Sequence, residues 1–133
     1  KFRNIMSKLK QEFNDVEELV LVGEPRDRIN YYYNSAEFHL LTSDFEGSPN
    51  SVKEAMACNT PVIATPVGNV PSMLQDVPSC HVSSSFDDEE LHALARSLLL
   101  EPSFGIDTRS YLILKNLDIK STSERLYQIY KTI

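Results

Sequence analysis

Apolar positions along the chain follow two spacings. Phe2, Ile5, Met6, Leu9 and Phe13 recur every three or four residues, which predicts an amphipathic helix over 2–13. Leu19-Val20-Leu21-Val22 is continuous and stopped by Gly23, which reads as a buried strand. Pro25 and Asp27 open a second helical stretch holding Ile29, Tyr32 and Tyr33, and Phe38-His39-Leu40-Leu41 is another buried strand, closing at Thr42-Ser43. A helix starts at Pro49, taken as its first residue, and runs through Val52, Ala55, Met56 and Ala57. Asn59 suits a left-handed C-terminal position, and Pro61 blocks continuation. Pro61 to Thr65 is a third strand, followed by a Pro66/Gly68 turn and a short helix at 70–75. Residues 80–82 make a short fourth strand. Asp87 to Glu90 place acids at the start of a helix reaching Leu100, and after a Pro102–Gly105 turn helical periodicity returns over 107–115 and 121–132.

Strand and helix alternate, and the strands are continuous in apolar character rather than alternating in polarity. That pattern is an α/β fold, a parallel sheet with helices on both faces. The 133 residues fit one domain, 1–133, with no internal repeat or low-complexity segment. The net charge of −6 argues against a nucleic-acid partner, since Arg3, Lys8, Lys10, Arg26 and Arg28 are interleaved with acids. No apolar run approaches the roughly 18 residues of a membrane span, and no signal peptide opens the chain. Cys58 and Cys80 lack metal-like spacing and read as small buried apolar residues, which fits a reducing, cytoplasmic setting. The first residue is Lys1 rather than Met, which suggests a piece of something larger.

Candidate chemistry concentrates in residues 43–54. Ligands of open parallel sheets bind beyond the carboxyl ends of strands, where this segment falls. Glu46 follows a strand, and Gly47 adds backbone freedom. The following helix offers the N–H groups of Asn50 and Ser51 and a positive dipole end suited to phosphate. Glu54, about one turn further in, can accept hydrogen bonds from a ribose diol. An anion site flanked by two hydroxyl acceptors suits a nucleotide-sugar. Read without these surroundings, Glu46 is a solvated loop carboxylate and Glu54 an ordinary helix-surface acid.

The run from Glu46-Gly47-Ser48-Pro49 to Glu54-Ala55-Met56-Ala57, with Thr60 to Thr65 and Val67-Gly68 behind it, resembles the donor-binding core of retaining GT-B glycosyltransferases, group 1, family 4. Gly23-Glu24-Pro25 and Tyr33 to Phe38 resemble its lead-in, so the likeness covers roughly residues 17–75 well and the tail weakly. It implies a Rossmann-like three-layer α/β/α domain, an N-terminally incomplete C-terminal half of a two-domain enzyme. It also implies transfer of a sugar, of hexosyltransferase type, from a nucleotide-sugar to a polysaccharide or glycolipid acceptor, with retention and without a metal or other cofactor.

By the resemblance, Glu46 is the catalytic candidate and contacts donor-sugar hydroxyls, while Gly47, Ser48, Asn50 and Ser51 face sugar and phosphate. Glu54 takes the ribose, the turn Glu24, Pro25, Arg26 borders the base, and Lys1 stands as a remnant of a basic donor-phosphate position. Pro49 lacks an N–H, Asn59 stands where the family has Gly, and Ser72 where many members have Glu. The acceptor falls to the missing N-terminal domain, so the chain alone is expected to be inactive. Peripheral membrane association is expected of the full-length protein. Two alternatives stay open: a GT-B-like epimerase or phosphorylase half, and a non-catalytic nucleotide-binding module. Elsewhere, His39 reads as a satisfied core or edge residue, His81 and His92 show no partner pattern, the Tyr31–Tyr33 run, only part of which faces one side of a helix, reads as helix-to-sheet packing, and the acids at 87–90 as a helix start.

Overall fold

The computed structural model describes residues 1–101 and 105–132. Its centre is a parallel sheet of β1 (His39–Leu41), β2 (Val62–Ala64) and β3 (His81–Val82) in the order β1-β2-β3. His39 pairs with Val62, Leu40 with Ile63 and Leu41 with Ala64, and on the other side Ile63 pairs with His81. Successive strand residues point to opposite faces, so β2 divides the core in two. Ile63 packs with Ile5, Met6 and Leu9 of α1 (Phe2–Glu12) and with Leu91 and Ala95 of α5 (Asp88–Leu100). Val62 and Ala64 face the other layer. It holds Tyr33 of α2 (Arg26–Ser35), Val52, Ala55 and Met56 of α3 (Asn50–Ala57), Val70, Met73 and Leu74 of α4 (Val70–Leu74), and Leu112 of α6 (Thr108–Leu114). The fold is three-layered and Rossmann-like. α7 (Ile119–Lys131) closes the chain and buries none of its residues.

Helix starts follow local chemistry. Asp87, Asp107 and Asp118 cap α5, α6 and α7, each carboxylate accepting a first-turn backbone N–H at 3.0–3.2 Å. The Asp118 cap starts α7 at Ile119, two residues ahead of the expected 121. Asn59 takes the left-handed conformation at φ 60°, as expected, and its side chain accepts from Arg109 N–H at 2.9 Å. Of the turn expected at Pro102–Gly105, residues 102–104 lie outside the described residues.

One expected strand does not form. Leu19 to Val22 forms no strand and, among the described residues, pairs with no neighbour, and Leu19, Val20 and Val22 are 61, 62 and 80% exposed. A continuous apolar run becomes a buried strand only where a partner supplies its hydrogen bonds and helices cover both faces. β2 has both, and the 19–22 run has neither. Two smaller expectations also change, and one holds. Pro49 stands at the N-cap rather than the first helical position, so α3 begins at Asn50. As expected on a helix, only part of the tyrosine run packs inward: Tyr33 is buried, while Tyr31 is 68% exposed and Tyr32 donates to Glu24 at 3.1 Å. His39 is half-buried on the edge strand β1, and its inaccessible Nε2 finds no partner among the described residues.

Candidate functional site

The carboxyl ends of the three strands open onto one edge, and the loops leaving them are tied together. Thr65, directly after β2, donates its hydroxyl to the Ser43 carbonyl after β1 at 2.6 Å. Ser83, directly after β3, donates its N–H to the Ala64 carbonyl at 2.9 Å. Further out, Asn69 N–H donates to the Gly47 carbonyl at 3.0 Å. The loop from Thr42 to Pro49 is therefore held at both its stem and its far side by the turn that follows β2.

That loop presents the first glutamate. The Ser43 hydroxyl donates to Glu46 Oε1 at 3.0 Å, fixing a half-buried carboxylate near the strand end. Around it Asp44, Gly47 and Ser48 are exposed, and Phe45 is 94% exposed. Lys1 lies on the same edge. Its ammonium pairs with Asp44 and stands 5.0 Å from the Phe86 ring centre, so it bridges the loops after β1 and β3.

α3 follows at once. Its N-terminus carries no side-chain cap and no acid in its first turn, unlike the aspartate-capped α5, α6 and α7. The unbonded N–H groups of a helix start and its positive dipole end favour an external anion. The Lys53 ammonium reaches back over this turn, 3.4 Å from Asn50 Oδ1, and adds positive charge that the sequence reading overlooked. Glu54 lies exposed on the same helix. Its charge also reaches Tyr33: burial first, and then Glu54, pushes the Tyr33 phenol up to about 12.

The chain thus groups Glu46, Gly47, Ser48, Asn50, Ser51 and Glu54 on one strand–loop–helix unit. Glu24 and Pro25 lead into α2, which Arg26 opens, and Glu24 is engaged by Tyr32. Among the described residues, no hydrogen bond or ion pair joins that turn to either glutamate. The cysteines are free and half-buried, and burial raises both thiols, Cys80 to about 11, which keeps them protonated near neutrality. His81 is exposed, and His92 Nε2 lies 3.0 Å from Glu12 Oε1 without making a hydrogen bond among the described residues. Among the described residues, no group of three or more His, Cys, Asp or Glu side chains is placed to hold a metal ion, and no helix is long and apolar enough to cross a membrane.

The contacts of Thr65 and Asn69 were not anticipated, although the Pro66/Gly68 turn was. Gly68 has φ +52°, and a Cβ there would fall 2.5 Å from the Glu46 carbonyl oxygen and nearer still to that of Gly47. Two backbones pack there without room for a side chain, and the sequence signal for it is a lone glycine one strand away from the glutamates.

A protein-family model described as glycosyl transferases group 1 matches residues 3–101, a span that takes in the whole sheet and every candidate residue except Lys1. Comparison with curated proteins gives no match.

Proposed function

The chain belongs to the glycosyl transferases group 1 family, and from that premise we propose that it is the donor-binding half of a retaining, hexosyltransferase-type enzyme. Its donor is a nucleotide-sugar and its acceptor a polysaccharide or glycolipid. The observation that carries this reading is the succession at the end of β1: a carboxylate fixed by Ser43, then an uncapped helix start. Glu46 accepts hydrogen bonds from hydroxyls of the donor sugar. The N–H groups of Asn50 and Ser51, with the α3 dipole behind them, meet the diphosphate. As the bond from the anomeric carbon to the diphosphate oxygen breaks, negative charge grows on the leaving group, and donors already in place stabilise it without reorganising. Glu54 holds the ribose diol one turn along, and the Glu24–Arg26 turn borders the base. The acceptor is held mainly by a second domain, so this chain alone binds donor but does not transfer the sugar. No metal is needed in this scheme, because helix amides and Lys53 supply the positive field. The free thiols support a cytoplasmic setting, with the full-length protein peripheral to a membrane.

Ligand-observed NMR with UDP, GDP and ADP, each with and without an attached hexose, tests the reading on the wild type and on Glu54→Ala. Binding that depends on the hexose and falls about tenfold in the variant is expected, as for loss of hydrogen bonds to a charged acceptor. Binding of bare nucleotide that ignores Glu54 would point instead to a generic nucleotide module.

A further inference from the structure

The two glutamates are supported differently. Glu54 rides on a helix that carries it wherever α3 goes. Glu46 sits in a loop, and its placement depends on what the loop is packed against. That support comes from a separate stretch of chain, Thr65 to Asn69. Thr65 Oγ1 holds the Ser43 carbonyl at 2.6 Å and Asn69 N–H holds the Gly47 carbonyl at 3.0 Å, on either side of Glu46. Between them Gly68, at φ +52°, lets its backbone lie against the Glu46 and Gly47 carbonyls.

We infer that the Thr65–Asn69 turn is a positioning element: it sets where the Glu46 carboxylate stands and thereby how well the hexose part of a nucleotide-sugar is bound over the nucleotide alone. The inference rests on the donor-binding reading. Any side chain at Gly68 displaces the loop by overlap and is also strained at that φ. Glu54 and the α3 amides are carried by a helix packed through Val52, Ala55 and Met56, and they stay in place.

Two variants test this, Gly68→Ala and the near-isosteric Thr65→Val, with two readouts. The first is the set of backbone amide shifts at Glu46, Gly47 and Ser48. The second is the ratio of affinities for a nucleoside diphosphate with and without its hexose, taken from UDP, GDP and ADP and their hexose conjugates. In Gly68→Ala those amides move and the ratio falls about tenfold; in Thr65→Val the amides move less and the ratio falls about threefold. A merely structural turn would lower both affinities in parallel, so an unchanged ratio overturns the inference, as do unmoved amides. Should Gly68→Ala fail to fold, Thr65→Val decides alone. If the wild type itself does not distinguish hexose conjugates, the donor-binding reading falls. The amide shifts then still decide whether the turn places the loop.

Discussion

The two ends of the sheet are built to opposite purposes. At the carboxyl end, polar loops are tied to one another through backbone carbonyls, and their side chains (Asp44, Phe45, Ser48) are left facing outward. At the amino end the backbone groups and the Thr60 hydroxyl are consumed internally. His39 N–H donates to the Pro61 carbonyl at 2.8 Å, Thr60 gives its hydroxyl to the Tyr33 carbonyl at 2.7 Å, and the His39 ring stands edge-on to Tyr33 with centroids 5.5 Å apart. Hydrogen bonding at the amino end closes the fold, whereas the same kind of bonding at the carboxyl end arranges a surface. Substitutions at the first should therefore cost stability and spare binding, and substitutions at the second the reverse.

The largest effect should come from the residue both ends share. Ile63 is fully buried at the centre of β2, and Ile63→Ala should cost about 2–5 kcal/mol by lost transfer energy and the cavity left behind. Urea unfolding measures it, and a loss under 1 kcal/mol would mean that β2 is not the hinge of the core. Next comes acid sensitivity at the amino end. Burial lowers His39 from 6.5 to about 4, so the folded state resists a proton that the unfolded chain accepts. The stability this leaves is complete above pH 6.5 and drains away as pH falls toward 4, by up to about 3 kcal/mol. Unfolding curves from pH 7 to pH 4 should show that slope in the wild type and lose it in His39→Phe.

Thr60→Val removes the hydroxyl donor to the Tyr33 carbonyl, leaving it the Ala36 N–H at 3.2 Å, and should cost about 1 kcal/mol, with nucleotide binding unchanged. The smallest effect belongs to the carboxyl edge. Asp44 is 76% exposed, and Asp44→Asn should change stability by less than about 1 kcal/mol, with even that screened by salt. A larger loss would show that Lys1 fastens the loop as well as decorating it.

Much of this contrast was legible in the chain. Val62 to Ala64 announces a central strand because Asn59 and Pro66 bound it, and Glu46 and Glu54 stand where a strand end and a helix start place them. The 19–22 run carries the same apolar signal as β2 and fails as a strand, because pairing depends on neighbours that a local pattern does not contain. The Thr65 and Asn69 contacts were hidden for a related reason: each spans some twenty residues of sequence and ends on a backbone carbonyl, which has no residue-type signature. The missing partner of His39 Nε2 was equally silent, since composition shows a histidine but not what surrounds it.

Which end of the sheet meets the ligand decides the donor-binding reading. Backbone amide shifts of the labelled domain, recorded while the preferred nucleoside diphosphate-hexose is added, answer that directly. The expected pattern is movement at Glu46 to Glu54 and at Thr65 to Asn69, with the His39 and Thr60 amides still. Movement centred on the amino end, or on the open groove lined by Asn116, Ser121, Glu124 and Arg125 beside α7, would contradict it.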